Sequence, residues 1–167
     1  MLKPHFGVWP DCVALGSKLR AIDKLECRAL GHPDPVEAVR SSIKSSDRWW
    51  VLTVDGVEEG VLGVTPMPDC AGWGAPWMLS SPAVFWDENA RTFLRRTPEF
   101  MAKATEGYDV LFNLISEHNH KSKRWLRFAG FQIKDEPAHI FNGFRFNEFI
   151  YVKPGGHYDP ETWTSNV

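Results

Sequence analysis

The stretch Asn119-His120-Lys121-Ser122-Lys123-Arg124-Trp125-Leu126-Arg127-Phe128-Ala129-Gly130-Phe131 decides the reading of the fold. Before it, Tyr108 to Ile115 is almost continuously apolar, as expected of a strand covered on both faces. That run leads through Glu117-His118-Asn119 into a helical segment that should stop at Gly130. Phe131 to Lys134 and Phe144 to Val152 then read as strands.

Working back toward the N-terminus, Glu88 to Gly107 has helical spacing through Phe93, Phe100, Met101 and Ala104. Pro98 interrupts it, with Thr97 placed as a fresh N-cap, which predicts a kink or two abutting helices. Thr65 to Pro76, with its prolines and glycines, reads as a loop into a short strand, Trp77-Met78-Leu79-Ser80. Trp49 to Val54 and the run Val61, Leu62, Val64 flank the turn signal Asp55-Gly56 and predict an antiparallel hairpin. Leu15, Leu19, Ile22, Leu25 and Ala29 lie on one face of a first helix that Gly31 and Pro33 would end. Asp34 before Pro35 starts a second, carried by Val36, Val39 and Ile43.

The order helix, helix, hairpin, strand, helix, strand, helix, two strands makes an α/β (α+β) protein with a mixed central sheet flanked by helices. The expected organisation is one domain over residues 1–153 and a loose C-terminal tail over 154–167.

Composition narrows the classes of function. Of 167 residues, 43% are hydrophobic, eight are tryptophan and 24% are charged, which is ample core for a globular domain. A net charge of −2 supplies no overall basic field for phosphate backbones, so nucleic acid is not an expected partner. No stretch approaches the ~20 uninterrupted apolar residues of a membrane span. Cys12, Cys27 and Cys70 are widely spaced, without the paired units of zinc or redox sites, so no metal is expected and a reducing cytosol fits. His118-Asn119-His120 lacks the dispersed ligands a metal nuclease needs, and serine-hydrolase elbows and P-loops are missing.

The Asn119 to Phe131 segment resembles the signature of the GNAT acetyltransferases: an asparagine after a strand, a small residue three on, and Gly-Phe closing the helix. A closer resemblance runs from Trp77 to Phe131, through Trp-x-Leu-Ser-Ser and Tyr108-Asp-Val-Leu-Phe-Asn113, to GNAT-like bacteriophage proteins. That group includes the internal virion protein A of short-tailed phages and phage acetyltransferase-like relatives. The resemblance implies a GNAT fold and an acetyl-CoA cofactor. In the family the asparagine, here Asn119, caps the helix beside the pantetheine arm, and the glycine, here Gly130, allows a sharp turn into the next strand.

The same resemblance places cofactor where two parallel strands splay apart, so that pantetheine pairs with backbone groups of the first strand. Met78, Leu79 and Ser80 take that place here, with Ser81, Asn119 and Ser122 beside them. Two family features are replaced. The glycine-rich diphosphate loop gives way to Ser81-Pro82-Ala83-Val84-Phe85-Trp86-Asp87-Glu88, where Pro82 offers no donor and Asp87 and Glu88 add negative charge. The usual acid, a tyrosine seven residues after the asparagine, is Leu126, which cannot donate a proton, leaving a water or Ser122 for that task.

Glu117 at the strand end, and Glu58 or Glu59 after the hairpin turn, are carboxylates that could act as general base or simply be solvated charges. Asn113, inside an apolar strand, either orients substrate or bonds neighbouring backbone. Lys121, Lys123, Arg124 and Arg127 form a basic helix side, for the CoA 3′-phosphate, an acidic partner or solvent. Trp49, Trp50, Trp77 and Trp125 read as core, and Trp73, Trp86 and Trp163 as interface candidates.

Two functions follow from the resemblance. One is a phage-encoded, acyl-CoA-dependent N-acetyltransferase acting on a small amine or a host protein. The other is a catalytically degenerate GNAT scaffold that binds protein, modulating a host enzyme during infection or serving particle assembly. Either would operate in the host bacterial cytoplasm or as a virion component.

Overall fold

A computed structural model describes residues 1–158. Its strands β1 (Leu2–Phe6), β2 (Arg48–Val54), β3 (Val57–Pro66), β4 (Trp73–Ser80), β5 (Val110–Ser116), β6 (Gln132–Ile133), β7 (His139–Phe141) and β8 (Phe144–Val152) form one sheet. The order is β1-β2-β3-β4-β5-β8-β6, with β7 also on β8. Every pairing is antiparallel except β4 with β5. The helices are α1 (Cys12–Ser17), α2 (Ala21–Ala29), α3 (Pro35–Ser45), α4 (Asp87–Ala104) and α5 (His120–Phe128).

Strand alternation sends side chains to two cores. Val51, Val61 and Leu79 pack with Leu15, Leu19, Val39 and Ile43 on the α1 and α3 face. Trp50, Leu52 and Leu62 pack with Phe93 and Phe100 of α4 on the other face. There they adjoin a cluster of Leu111, Ile115, Leu126, Phe131 and Phe149 under α5.

The expected α/β architecture with a mixed sheet is present, and several boundaries differ from expectation. Residues 2–6 add an edge strand that the sequence reading left out. The first expected helix is two, broken at 18–20. The β4 strand begins at Trp73, inside the expected loop, and residues 82–85 form a short 3-10 turn. Helix α4 runs through Pro98 as a single element. Thr97 is no cap: its hydroxyl donates to Phe93 O and accepts from Trp125 Nε1.

Local signals hold where they rest on one or two residues. Asp34 caps α3 through Val36 N, and Asp55-Gly56 turns the hairpin with φ of 50° and 84°. Asn119 caps α5 through Ser122 N, and Gly130 sits at φ 95°. Just before the expected tail Lys153 N donates to Asp109 O, and within it the Tyr158 ring lies 6.2 Å from that of Trp73. Trp163 and the rest of 159–167 lie outside the described residues.

Candidate functional site

The two parallel strands β4 and β5 are paired only at Trp73 with Val110 and Gly74 with Leu111. Beyond Gly74 they part. Gly74 itself has no room for a side chain, since an added Cβ would lie 2.7 Å from Val64. Asn113 bridges the start of the gap: its Nδ2 donates to Pro76 O at 3.0 Å, and its oxygen accepts from Leu114 N. Asn113 therefore bonds backbone, one of the two roles expected of it.

Pro76 O and the Ser80 N–H and C=O all point into this gap, away from β3. Met78 shares their phase, so its N–H and C=O face the gap with no strand opposite. A cavity of about 370 Å³ occupies the gap and reaches both faces of the sheet. Met78, Leu79, Asn113, Asn119, Ser122 and Leu126 all contribute to its lining. The structure thus brings these six residues, all singled out by sequence, to one place.

Others fall outside it. Ser80 and Ser81 are buried beside the cavity without lining it. The Ser81 hydroxyl donates to Glu59 and accepts from Ala83 N. Glu117 turns toward His118, 3.5 Å away, and does not line the cavity. Glu58 accepts from Asp11 N, and Glu59 pairs with Lys18 at 3.1 Å. The expected basic side of α5 is incomplete, because Lys123 is buried and donates to Glu117 O and Asn147 Oδ1.

Helix α2 brings groups that sequence reading missed. Glu26 lines the cavity and accepts from Ser116 N at 2.8 Å and from Asn119 Nδ2 at 3.1 Å. Burial, and next the neighbouring Asp23 charge, push its carboxyl up to about 7, against the pull of those donors and of Arg20. The sequence signal was its place within the apolar stripe, four residues after Ile22 and three before Ala29, where a carboxylate is out of keeping with its neighbours.

Asp23 is fully buried and accepts from Ser80 N at 3.0 Å. Arg20 pairs with it at 3.0 and 2.5 Å, donates to Ser122 Oγ at 3.1 Å, and lies 4.3 Å over the Phe85 ring. Burial pushes the Asp23 carboxyl up while Arg20 and the Ser80 amide oppose it. At this end of the gap the positive charge comes from the Arg20 guanidinium, held against Ser122 in the first turn of α5. The Asp23 carboxylate already takes the Ser80 amide.

No family profile and no curated protein sequence matches this chain. Solved structures do. Ribosomal-protein-alanine N-acetyltransferase from Brucella melitensis superposes with a TM-score of 0.66 at 16% identity, over 90% of this chain and 99% of its own. Spermidine N-acetyltransferase from Vibrio cholerae, in complex with CoA and spermine, gives 0.64 at 10%, over 92% and 96%. A GNAT-family acetyltransferase from Bacillus anthracis gives 0.62 at 12%, over 91% and 93%. The fold of this chain is that of the GNAT acetyltransferases. Among its described residues no helix is long and apolar enough to cross a membrane.

Proposed function

We propose that this chain is an acyl-CoA-dependent N-acetyltransferase, acting as one unit over residues 1–153 on a small amine or a protein amine. The observation that carries the reading is the open gap between β4 and β5, with the Met78 backbone facing it and no strand opposite. A pantetheine arm fits there as a surrogate strand, held by the Met78 N–H and C=O. Arg20 supplies the cation for the phosphates, with Ser122 beside it. When bound, acetyl-CoA supplies the activated acetyl group; the chain orients it and excludes water from the apolar cavity.

The phage-encoded origin, and a host-protein acceptor in the bacterial cytoplasm, belong to the same proposal. They are supported by the likeness of Trp77 to Phe131 to phage proteins. The test is thermal unfolding with and without acetyl-CoA. A ligand at about 100 times its Kd stabilises by about 2.7 kcal/mol, a shift of several degrees for a domain of this size. An unchanged midpoint at millimolar cofactor overturns the reading.

A second reading, a scaffold without catalysis that binds a host enzyme or a particle component, is favoured by one observation. The Ser80 amide, the Ser122 hydroxyl and the Arg20 guanidinium are already satisfied by one another and by Asp23. For the transferase, Asp23 must give up these donors to the phosphates. For the scaffold it never does, and the protein is recovered from infected cells bound to its partner and indifferent to cofactor.

A further inference from the structure

The cavity between β4 and β5 has an open side and a closed one. Toward α2 and α3 its lining includes Leu30, His32 and Ser45, all exposed. On the α4 and α5 face it is walled by Phe100, Met101, Ala104, Leu111, Leu126 and Phe149. Apart from Met101, which packs against the same cluster, none of these is more than 7% exposed. The six side chains carry no nitrogen or oxygen, and Trp125 beside them has its Nε1 donated to the Thr97 hydroxyl at 2.9 Å.

This closed recess adjoins the corner where the strands begin to part. The last pair is Gly74 with Leu111, and Leu111 is itself part of the wall. Ala104 belongs to the same buried cluster as Leu111 and Val64, the two side chains that an added Cβ on Gly74 would meet. Arg20 and Ser122 stand at the opposite end, where β4 finishes at Ser80. An arm with its phosphates at Arg20 and its amides on the Met78 backbone therefore directs its thioester toward the Gly74–Leu111 corner, with hydrocarbon on one side and the open mouth on the other.

We propose that the recess binds the hydrocarbon tail of the acyl group, so that the chain takes acyl-CoA thioesters longer than acetyl-CoA while the amine approaches from the open side; this rests on the acyl-CoA-dependent transferase reading and refines which acyl group is carried. Size supports it. An apolar cavity of about 150 Å³ holds a six-carbon guest such as benzene. At about 370 Å³ this one leaves room that a two-carbon acetyl group does not fill. Chemistry supports it too, because a polar group placed against this wall would lose its hydrogen bonds to water and gain none, whereas methylenes lose only water. Leu126 keeps the wall free of hydroxyl groups, and Met101, unbranched, can fit itself to a chain.

The experiment is calorimetric titration with acetyl-, butyryl-, hexanoyl- and octanoyl-CoA, backed by NMR of the Met101 methyl group assigned with Met101→Leu. A fully buried methylene is worth about fourfold in affinity. Hexanoyl-CoA should therefore bind at least about 30-fold more tightly than acetyl-CoA, and should shift the Met101 methyl signal where acetyl-CoA leaves it in place. Ala104→Leu fills the recess and should cut the hexanoyl-to-acetyl ratio to below about threefold. Leu126→Ala enlarges it and should favour octanoyl- over hexanoyl-CoA by at least about threefold.

Equal affinity for acetyl- and hexanoyl-CoA, or a chain-length preference that folded Ala104→Leu and Leu126→Ala leave unchanged, overturns the proposal and leaves the transferase reading standing. The Met101 signal decides on the wild-type protein even where a variant does not fold: a methyl that hexanoyl-CoA does not move places the tail elsewhere. Failure of the wild type to bind any of the four thioesters removes both together.

Discussion

The side-chain amide of Asn119 donates to both oxygens of the Glu26 carboxylate, at 3.1 and 3.2 Å, while its oxygen accepts from Ser122 N at 3.3 Å. One residue thus caps α5 and clamps a carboxylate of α2 across the sheet gap. The two tasks separate by mutation. Asn119→Ser keeps an oxygen for the cap and loses the amide donors, so the Glu26 titration midpoint, read by NMR, should rise above its wild-type value. Asn119→Ala loses both and should cost about 1 kcal/mol more in denaturant unfolding.

Glu26 should make stability fall as pH rises. Its carboxyl goes from 4.5 in the unfolded chain to about 7 in the folded one, so the folded state binds the proton more tightly. The stabilisation is fully present below 4.5 and is lost as pH rises through about 7, with a span of roughly 3 kcal/mol. Urea unfolding of wild type and Glu26→Gln between pH 5 and 8 reads it as the difference between the two curves, with the wild type falling more steeply as pH rises.

Removing Arg20 should be costly because Asp23 is left as a buried charge. Arg20→Met is expected to lose about 3–5 kcal/mol, and the double variant Arg20→Met/Asp23→Leu to lose less than the single one. Equilibrium unfolding of both decides it; a double variant worse than the single would mean that the carboxylate on Ser80 N matters more than the ion pair.

Gly130→Ala should destabilise by about 1–3 kcal/mol. Its φ of 95° disfavours any side chain, and a Cβ would sit 3.3 Å from the Tyr151 ring. Thermal unfolding measures the loss, and a change within a few tenths of a kcal/mol would contradict it.

The segment from Asn119 to Phe131 was legible because a cap and a glycine each act within a few residues of themselves. The hairpin at Asp55-Gly56 was legible for the same reason. Strand β1 was not: Leu2 is its only buried residue, and Pro4 argued against a strand. The break at 18–20 was hidden because Leu15, Leu19 and Ile22 keep helical spacing straight across it. Glu26 and Arg20 could not be read as site residues, since their partners Asn119 and Ser122 lie 93 and 102 residues away. Only folding shows which groups stand opposite them across the gap in the sheet.

Calorimetric titration of acetyl-CoA into wild type and Met78→Pro tests the account most directly. Proline removes the one N–H that faces the gap at that position, and Pro76, two residues earlier in the same phase, shows that the strand accommodates it. The account predicts saturable binding to the wild type, weakened at least about tenfold in a folded Met78→Pro variant, the loss of one or more backbone hydrogen bonds. No heat of binding at millimolar acetyl-CoA, or equal affinity in the two proteins, would contradict it.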